Sequence, residues 1–294
     1  MGTRHDIRQE LGQLCSRNRD DSHATQAARR DVLDQAARVL QKAGFRDLAV
    51  TSLKPKHVEV LLAQWRADKL ADSTMKNRMS HLRWAGEKIN KPNLCPKNND
   101  VAGIGRRSFI GTETKAQKLD NDQLAKIGHE RLKVSLELQQ AFGLRREECM
   151  KIHPTLAMER GGGDKVWMKD TWCKGGRERE IPILNDYQRD VLSRAAALAG
   201  KGSMIPADKN YAQWLSTYEN QTKRADLHML HGLRHSYAQE RFEAVAGFKS
   251  PLAGGPGRDQ LTPEQKERDF EARMVVSNEL GHGREEVTAV YLGR

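Results

Sequence analysis

The 294-residue sequence contains no apolar run approaching the roughly eighteen residues that a membrane span requires. Its opening stretch, "MGTRHDIRQELGQ", lacks the hydrophobic block of a secretory signal, so the expectation is a soluble, intracellular protein with no membrane partner. Cysteine is scarce. Cys15, Cys95, Cys149 and Cys173 stand apart with no paired spacing, which argues against a disulfide framework or a zinc knuckle and fits reduced thiols in a cytoplasm. Acidic residues are also in deficit, 39 Asp plus Glu against 50 Lys plus Arg, and the resulting net charge of +11 favours a polyanionic partner.

What is present suggests two domains, the ordinary arrangement for a chain of this length. From Thr25 to Ala43 the residues Val32, Leu33, Ala36, Val39 and Leu40 recur at helical spacing, and Gly44 stands where a helix would end. A second helix is expected after Pro55, with Val58, Leu61, Leu62 and Trp65 on one face. A third follows Ser73, with Met75, Met79, Leu82 and Ile89. Residues 1–95 thus read as a small helical domain. On its third helix Lys76, Arg78, Arg83 and Lys88 suit either a phosphate-facing surface or the solvated side that any helix needs.

Residues 96–115 are rich in Pro, Gly, Asn and basic side chains without periodicity, and read as a basic linker in which Arg106 and Arg107 could follow a phosphate backbone. The second domain is expected over 116–294. Asp120 with Gln123 resembles a capping box, and one helical pattern runs on through Leu124, Ile127, Leu132 and Leu136. "KVWMKDTW", "CKGG" and "REREIPIL" then read as strand, tight turn and strand, with Lys174 at the tip. Helical patterning returns over Asp186 to Leu198, around Ala212 to Tyr218, and through "HGLRHSYA". The fold class is therefore mainly α with a small antiparallel sheet.

Certain polar residues would be odd if merely structural: Arg145, Lys174, His231, Arg234, His282 and Tyr291. In that order, within "GLRREE", "CKGGREREIP", "HGLRHSYA" and "LGHGREEVTAVY", they resemble the tyrosine recombinase, or phage integrase, family. The resemblance covers roughly residues 116–294 and implies an α+β catalytic domain of the lambda-integrase type. The helical region before it is similar, with less specific motifs, to the SAM-like core-binding domain that such enzymes place first.

The implied function is site-specific DNA recombination through a 3′-phosphotyrosyl intermediate, integrating, excising or inverting a mobile element without metal, ATP or other cofactor. Two guanidiniums, Arg145 and Arg234, would neutralise charge developing on the phosphate. Tyr291 would be the nucleophile, with His231 accepting its proton and Lys174 protonating the leaving 5′-oxygen. The resemblance also gives His282 a hydrogen bond to the phosphate and Glu148 a supporting role. It implies double-stranded recombination sites as substrate, a homotetramer on two duplexes, accessory DNA-bending or directionality proteins, and a cytoplasmic, nucleoid-associated location.

At i and i+3, His231 and Arg234 can converge on one phosphate. A zinc reading of His231 and His235 is disfavoured, because no acidic residue sits between them as in metalloprotease helices. A type IB topoisomerase-like nicking and resealing enzyme, or a catalytically silent DNA-binding regulator, remain alternatives. Two features depart from the family pattern. Residues 246–272 form an extra segment, expected as a loop and a short helix capped by Thr262 with Pro263 in its first turn, and a candidate contact between protomers. Only Leu292, Gly293 and Arg294 follow Tyr291, which leaves tail exchange between protomers in doubt.

Overall fold

In the computed structural model, which describes residues 5–106 and 109–294, the chain divides between Ser108 and Phe109 into two units. The first is helical. Asp6 caps α1 (Ile7–Arg17) by accepting from the Arg8 amide, and Ile7, Leu11 and Cys15, spaced by four, bury its inner face. Ser22 caps α2 (His23–Lys42) by accepting from the Thr25 amide. Pro55, whose missing N–H costs nothing at a helix start, opens α3 (Pro55–Ala67), and α4 (Asp72–Lys88) follows. Leu33, Leu40, Leu61, Trp65 and Met79 form the core. The patterning had marked α2, α3 and α4 but left out α1.

Part of the stretch expected as a linker belongs to this unit. Ala102 and Ile104 are buried in its core, and Arg66 donates to the Ala102 carbonyl at 2.6 Å.

In the second unit Asp120 accepts from the Gln123 amide and starts α5 (Asn121–Ala125). The helix expected to continue through Leu136 breaks here. Gly128 lies between α5 and α6 (Glu130–Phe142), where its amide donates to Gln221 Oε1 at 3.0 Å instead of to a helical carbonyl. After α7 (Arg146–Lys151) and α8 (Pro154–Arg160) come β1 (Lys165–Met168) and β2 (Arg179–Pro182), antiparallel with Val166 opposite Ile181. The ladder is shorter than the sequence suggested. Trp172 leaves it to stack on His153, with ring centroids 5.3 Å apart, so the turn that carries Lys174, closed by the Gly176 amide donating to the Cys173 carbonyl at 3.1 Å, lies within a longer connection and not directly at the end of the ladder.

The remaining helices are α9 (Asp186–Ala199), α10 (Tyr211–Arg224), α11 (Gly232–Ala246), α12 (Pro263–Glu279) and α13 (Ala289–Leu292). Helix α11 packs against both α6 and α12. Thr262 and Pro263 start α12 as expected, but the helix is 17 residues long and runs to Glu279. The architecture is thus mainly helical with a two-stranded antiparallel sheet. No helix among the described residues is long and apolar enough to cross a membrane.

Candidate active site

The site gathers at the ends of α6, α11 and α12, and glycine makes the approach possible. Gly143 ends α6 with φ 59°, and a Cβ there would lie 2.6 Å from the Tyr237 ring. The turn it makes delivers Arg145, whose backbone N–H donates to Glu148 Oε2 at 2.8 Å and whose guanidinium reaches Glu148 Oε1 at 2.6 Å. Arg145 retains 19 % side-chain exposure, enough to meet a ligand, whereas Glu148 is sealed.

Glu148 is the electrostatic centre. Arg179 on β2 donates to it through Nη2 at 2.8 Å and Nη1 at 3.3 Å, and Arg234 Nη1 lies 3.8 Å away. Burial alone would raise its pKa, but Arg179, Arg234 and Arg145 outweigh burial and hold the carboxyl at about 2. Sequence reasoning missed Arg179. The signal available was an arginine among the β-formers of "REREIPIL", on the strand face that turns inward. Besides Glu148, its Nε donates to the Glu279 carbonyl at 2.7 Å, tying the strand to the end of α12.

Arg234, on α11, is 1 % exposed. Its Nη1 donates to the Gly143 carbonyl and its Nη2 to the Leu280 carbonyl, both at 2.5 Å. This fork pins the turn after α6 to the turn after α12. Burial lowers its pKa to about 10, so it stays charged at neutral pH. Its Nε is left to donate to the Tyr291 hydroxyl at 3.3 Å.

His282 follows α12 through Gly281, whose φ is 74°. Its Nε2 lies 3.4 Å from the Tyr291 hydroxyl and 3.4 Å from Arg234 Nη2. Burial, then Arg234, Arg145 and Arg179, depress its pKa to about 3, so the ring is neutral. Arg234 can only donate, so the tyrosine hydroxyl accepts from it and turns its own proton toward His282. His231 stands farther off, its ring centroid 6.1 Å from that of Tyr291. His231 stands at the N-terminus of α11, its pKa lowered by burial and then by Arg234 and Arg145.

His235 packs its ring on Tyr291 at 4.7 Å between centroids, with its pKa lowered to about 4 chiefly by burial. It meets His231 edge to face, with ring centroids 5.5 Å apart and an interplanar angle of 82°. Tyr291 itself is 4 % exposed. Its segment is fastened by Gln239, which donates to the Tyr291 carbonyl at 3.0 Å, and by Arg273, which donates to the Gly293 carbonyl at 3.0 Å.

Beside this cluster opens a cleft of about 790 Å³ lined by Arg145, Arg146, Lys174, Lys223, Met229 and His231, among others. Lys174 is exposed on the connection between β1 and β2. The nearby Arg177 anchors that connection by donating to the His282 carbonyl at 2.5 Å. Of the sequence-predicted residues, Arg145, Glu148, Arg234, His282 and Tyr291 meet in one cluster, with His231 and Lys174 on the adjoining cleft.

In the first unit Arg78 donates to Gln35 Oε1 at 2.8 Å and stacks over Trp65, and Arg83 reaches Asn99 Oδ1 at 3.0 Å, so both guanidiniums are engaged within the fold. Lys76 is half-buried, and Arg106 is exposed with Asp100 at 3.4 Å. Arg107 lies outside the described residues.

A buried tyrosine hydroxyl held between a guanidinium and a neutral imidazole, beside a cleft with Arg145, Arg146, Lys174 and Lys223 in its lining, is a set of groups suited to covalent chemistry on an anionic ester. The family comparisons agree: a model described as phage integrase, N-terminal, matches residues 5–90 and one described as integrase matches residues 103–240. The chain belongs to the integrase family of tyrosine recombinases.

Among solved structures it is similar to the Tn1549 transposon integrase in complex with circular intermediate DNA, at 12 % identity over 98 % of this chain and 95 % of that one, TM-score 0.55. A lambda integrase dimer bound to a COC′ core site is similar at 14 % identity over 96 % of this chain and 76 % of that one, TM-score 0.56. A lambda integrase tetramer bound to a Holliday junction gives the same values. Similarity at this level is one of fold. No curated protein matches the chain in sequence.

Proposed function

We propose that the chain, a site-specific DNA recombinase, cleaves each strand by attack of the Tyr291 oxygen on a DNA phosphate. The tyrosine–phosphorus bond forms as the bond to the 5′-oxygen breaks, leaving a 3′-phosphotyrosyl linkage. The reverse attack by a 5′-hydroxyl from another strand reseals the DNA, and because the linkage conserves the broken bond's energy, neither ATP nor metal is needed. The single observation that carries this reading is the Tyr291 hydroxyl set against Arg234 and His282.

Roles follow from the geometry. Arg145, the more exposed arginine, and Arg234 neutralise the nonbridging oxygens. Neutral His282, in contact with the hydroxyl, is better placed than His231 to receive its proton, and His231 faces the cleft to bind the phosphate. Lys174, on the exposed connection, protonates the departing 5′-oxygen. Glu148 and Arg179 hold both arginines in register. The first unit, with Lys76, Arg78, Arg83, Arg106 and Arg107 as its candidate contacts, grips the flanking duplex, consistent with the net charge of +11. Recombination then joins four protomers on two duplexes, a reading supported by the similarity to a lambda integrase tetramer bound to a Holliday junction.

The test is covalent trapping on a pool of nicked duplexes in which the departing fragment diffuses away. Wild-type protein should yield a denaturant-resistant adduct that persists in excess EDTA, and Tyr291→Phe should yield none. An adduct from Tyr291→Phe, or one abolished by chelator and restored by a divalent ion, overturns the assignment.

A further inference from the structure

The chain between α10 and α11 is short and held in an unusual shape. Asp226, at φ 58°, and Met229, at φ 51°, both occupy the left-handed region that glycine enters freely and other residues avoid. Aspartate is one of the few side chains that tolerates this region, whereas an unbranched apolar side chain gains nothing there. The bend is nevertheless tied down. Gln123 donates to the Asp226 carbonyl at 3.0 Å, and the Gly232 amide donates to the Met229 carbonyl at 2.7 Å. The Gln117 amide nitrogen, turned toward the loop, reaches the His228 and Met229 carbonyls at 3.0 and 3.3 Å.

With its backbone fixed, Met229 leaves 67 % of its surface exposed. A lone exposed methionine is ordinarily without meaning. This one differs in its placement, because it lines the same cleft as Arg145, Lys174 and His231 and precedes His231 by two residues. Strain retained at the edge of a reaction site is a mark of a position under functional constraint. Four cations of the cleft, Arg145, Arg146, Lys174 and Lys223, suit phosphate, while Glu147, Glu148 and Glu219 also line it and Met229 is its most exposed apolar side chain. A thioether offers phosphate nothing. On DNA its targets are the methyl of thymine or the face of a base exposed by unstacking.

We infer that Met229 is a base-contacting residue that reads, by apolar contact, the base pairs adjoining the scissile phosphate. The inference rests on the recombinase reading above and adds a source of sequence preference at the point of cleavage.

The experiment uses the full chain and nicked duplexes randomised on both sides of the cleaved position, with adducts recovered and sequenced for wild type, Met229→Leu, Met229→Ala and Met229→Gln. Wild type and the leucine variant should share a preference at the base pairs next to the broken bond. The alanine and glutamine variants should lose about fivefold or more of it there, the lower end of what one base contact contributes, and keep preferences farther out. Two further arms separate the modes of contact. Deoxyuridine in place of thymine reproduces the loss if the methyl is read, and 2-aminopurine beside the nick brightens with methionine or leucine at 229 but not with alanine or glutamine if the base is unstacked.

Unchanged preference in the alanine and glutamine variants overturns the inference. So does a loss of adduct that is uniform over all sequences, which would place Met229 in the support of His231. Absence of any Tyr291-dependent adduct from wild type is a different failure, since it removes the recombinase reading itself and the inference with it.

Discussion

Arg234 donates through Nε to the Tyr291 hydroxyl at 3.3 Å across 57 residues of chain, while its other two nitrogens hold the carbonyls of Gly143 and Leu280. One guanidinium thus does two jobs: it closes the fold around the site and polarises the hydroxyl of Tyr291, the proposed nucleophile. Arg145 is different, because among the described residues its side chain pairs only with Glu148, at 2.6 Å, and Glu148 keeps a second tie to Arg179 at 2.8 Å. The two arginines can be separated by experiment.

Arg145→Ala should therefore fold and bind DNA yet form adduct more slowly by on the order of 10² or more, the usual scale for losing one group that stabilises developing oxyanion charge. Single-turnover trapping checks this, with thermal melting as the control. A rate within about twofold of wild type removes Arg145 from the phosphate clamp.

Glu148→Gln should destabilise the protein by about 3–5 kcal/mol, the range for leaving buried charges without their partner. Arg179 and Arg234, 8 % and 1 % exposed, would face each other with no carboxylate between them. Urea denaturation measures the effect, and a loss below about 1 kcal/mol would show that carbonyl oxygens alone suffice to hold the two guanidiniums.

Acid should weaken the fold in two stages of the same sign. His282 and His235 have pKa values of about 3 and 4 in the folded protein, below the ordinary 6.5, so the unfolded chain binds more protons and stability falls as pH drops below 6.5. Glu148, at about 2 against an ordinary 4.5, adds stability that is complete above 4.5 and disappears as pH falls toward 2. Stability measured between pH 7.5 and 4 should decline from below 6.5, and more gently in His282→Asn. A flat profile down to pH 5 would mean that these histidines titrate normally.

The reactive residues were legible because each motif places its side chain locally: "GLRREE" puts Arg145 and Glu148 one turn apart, and "HGLRH" does the same for His231 and Arg234. Arg179 was not, because its meaning lies in partners 31 and 100 residues away. Which of the two histidines stands nearer the Tyr291 hydroxyl was not legible for a related reason, since it depends on how α12 is docked against α11. Among the elements, α1 carried a readable spacing of Ile7, Leu11 and Cys15. The shortened hairpin did not, because the sequence of "KVWMKDTW" gives no sign that Trp172 stacks on His153 instead of extending the strand.

The last prediction concerns whose tyrosine acts. Arg273 is 1 % exposed, paired with Asp269 at 2.7 Å, and donates to the Gly293 carbonyl, while Arg294 makes two bonds of 2.8 Å to Glu285. Leu252 of the extra segment packs against the same end, where a Cβ on Gly293 would lie 3.1 Å from it. The segment after α11 and the helix α12 thus hold Tyr291 in the site of its own protomer, which predicts cleavage in cis. Mixing Tyr291→Phe with Arg145→Ala should give no more adduct than Arg145→Ala alone, whereas restored adduct would show that the tyrosine is delivered from a neighbour. Replacing residues 254–268 with a short Gly-Ser linker should lower adduct formation along with strand exchange, because it removes the start of α12 and loosens Arg273. Normal cleavage with impaired exchange would instead assign that segment to contact between protomers.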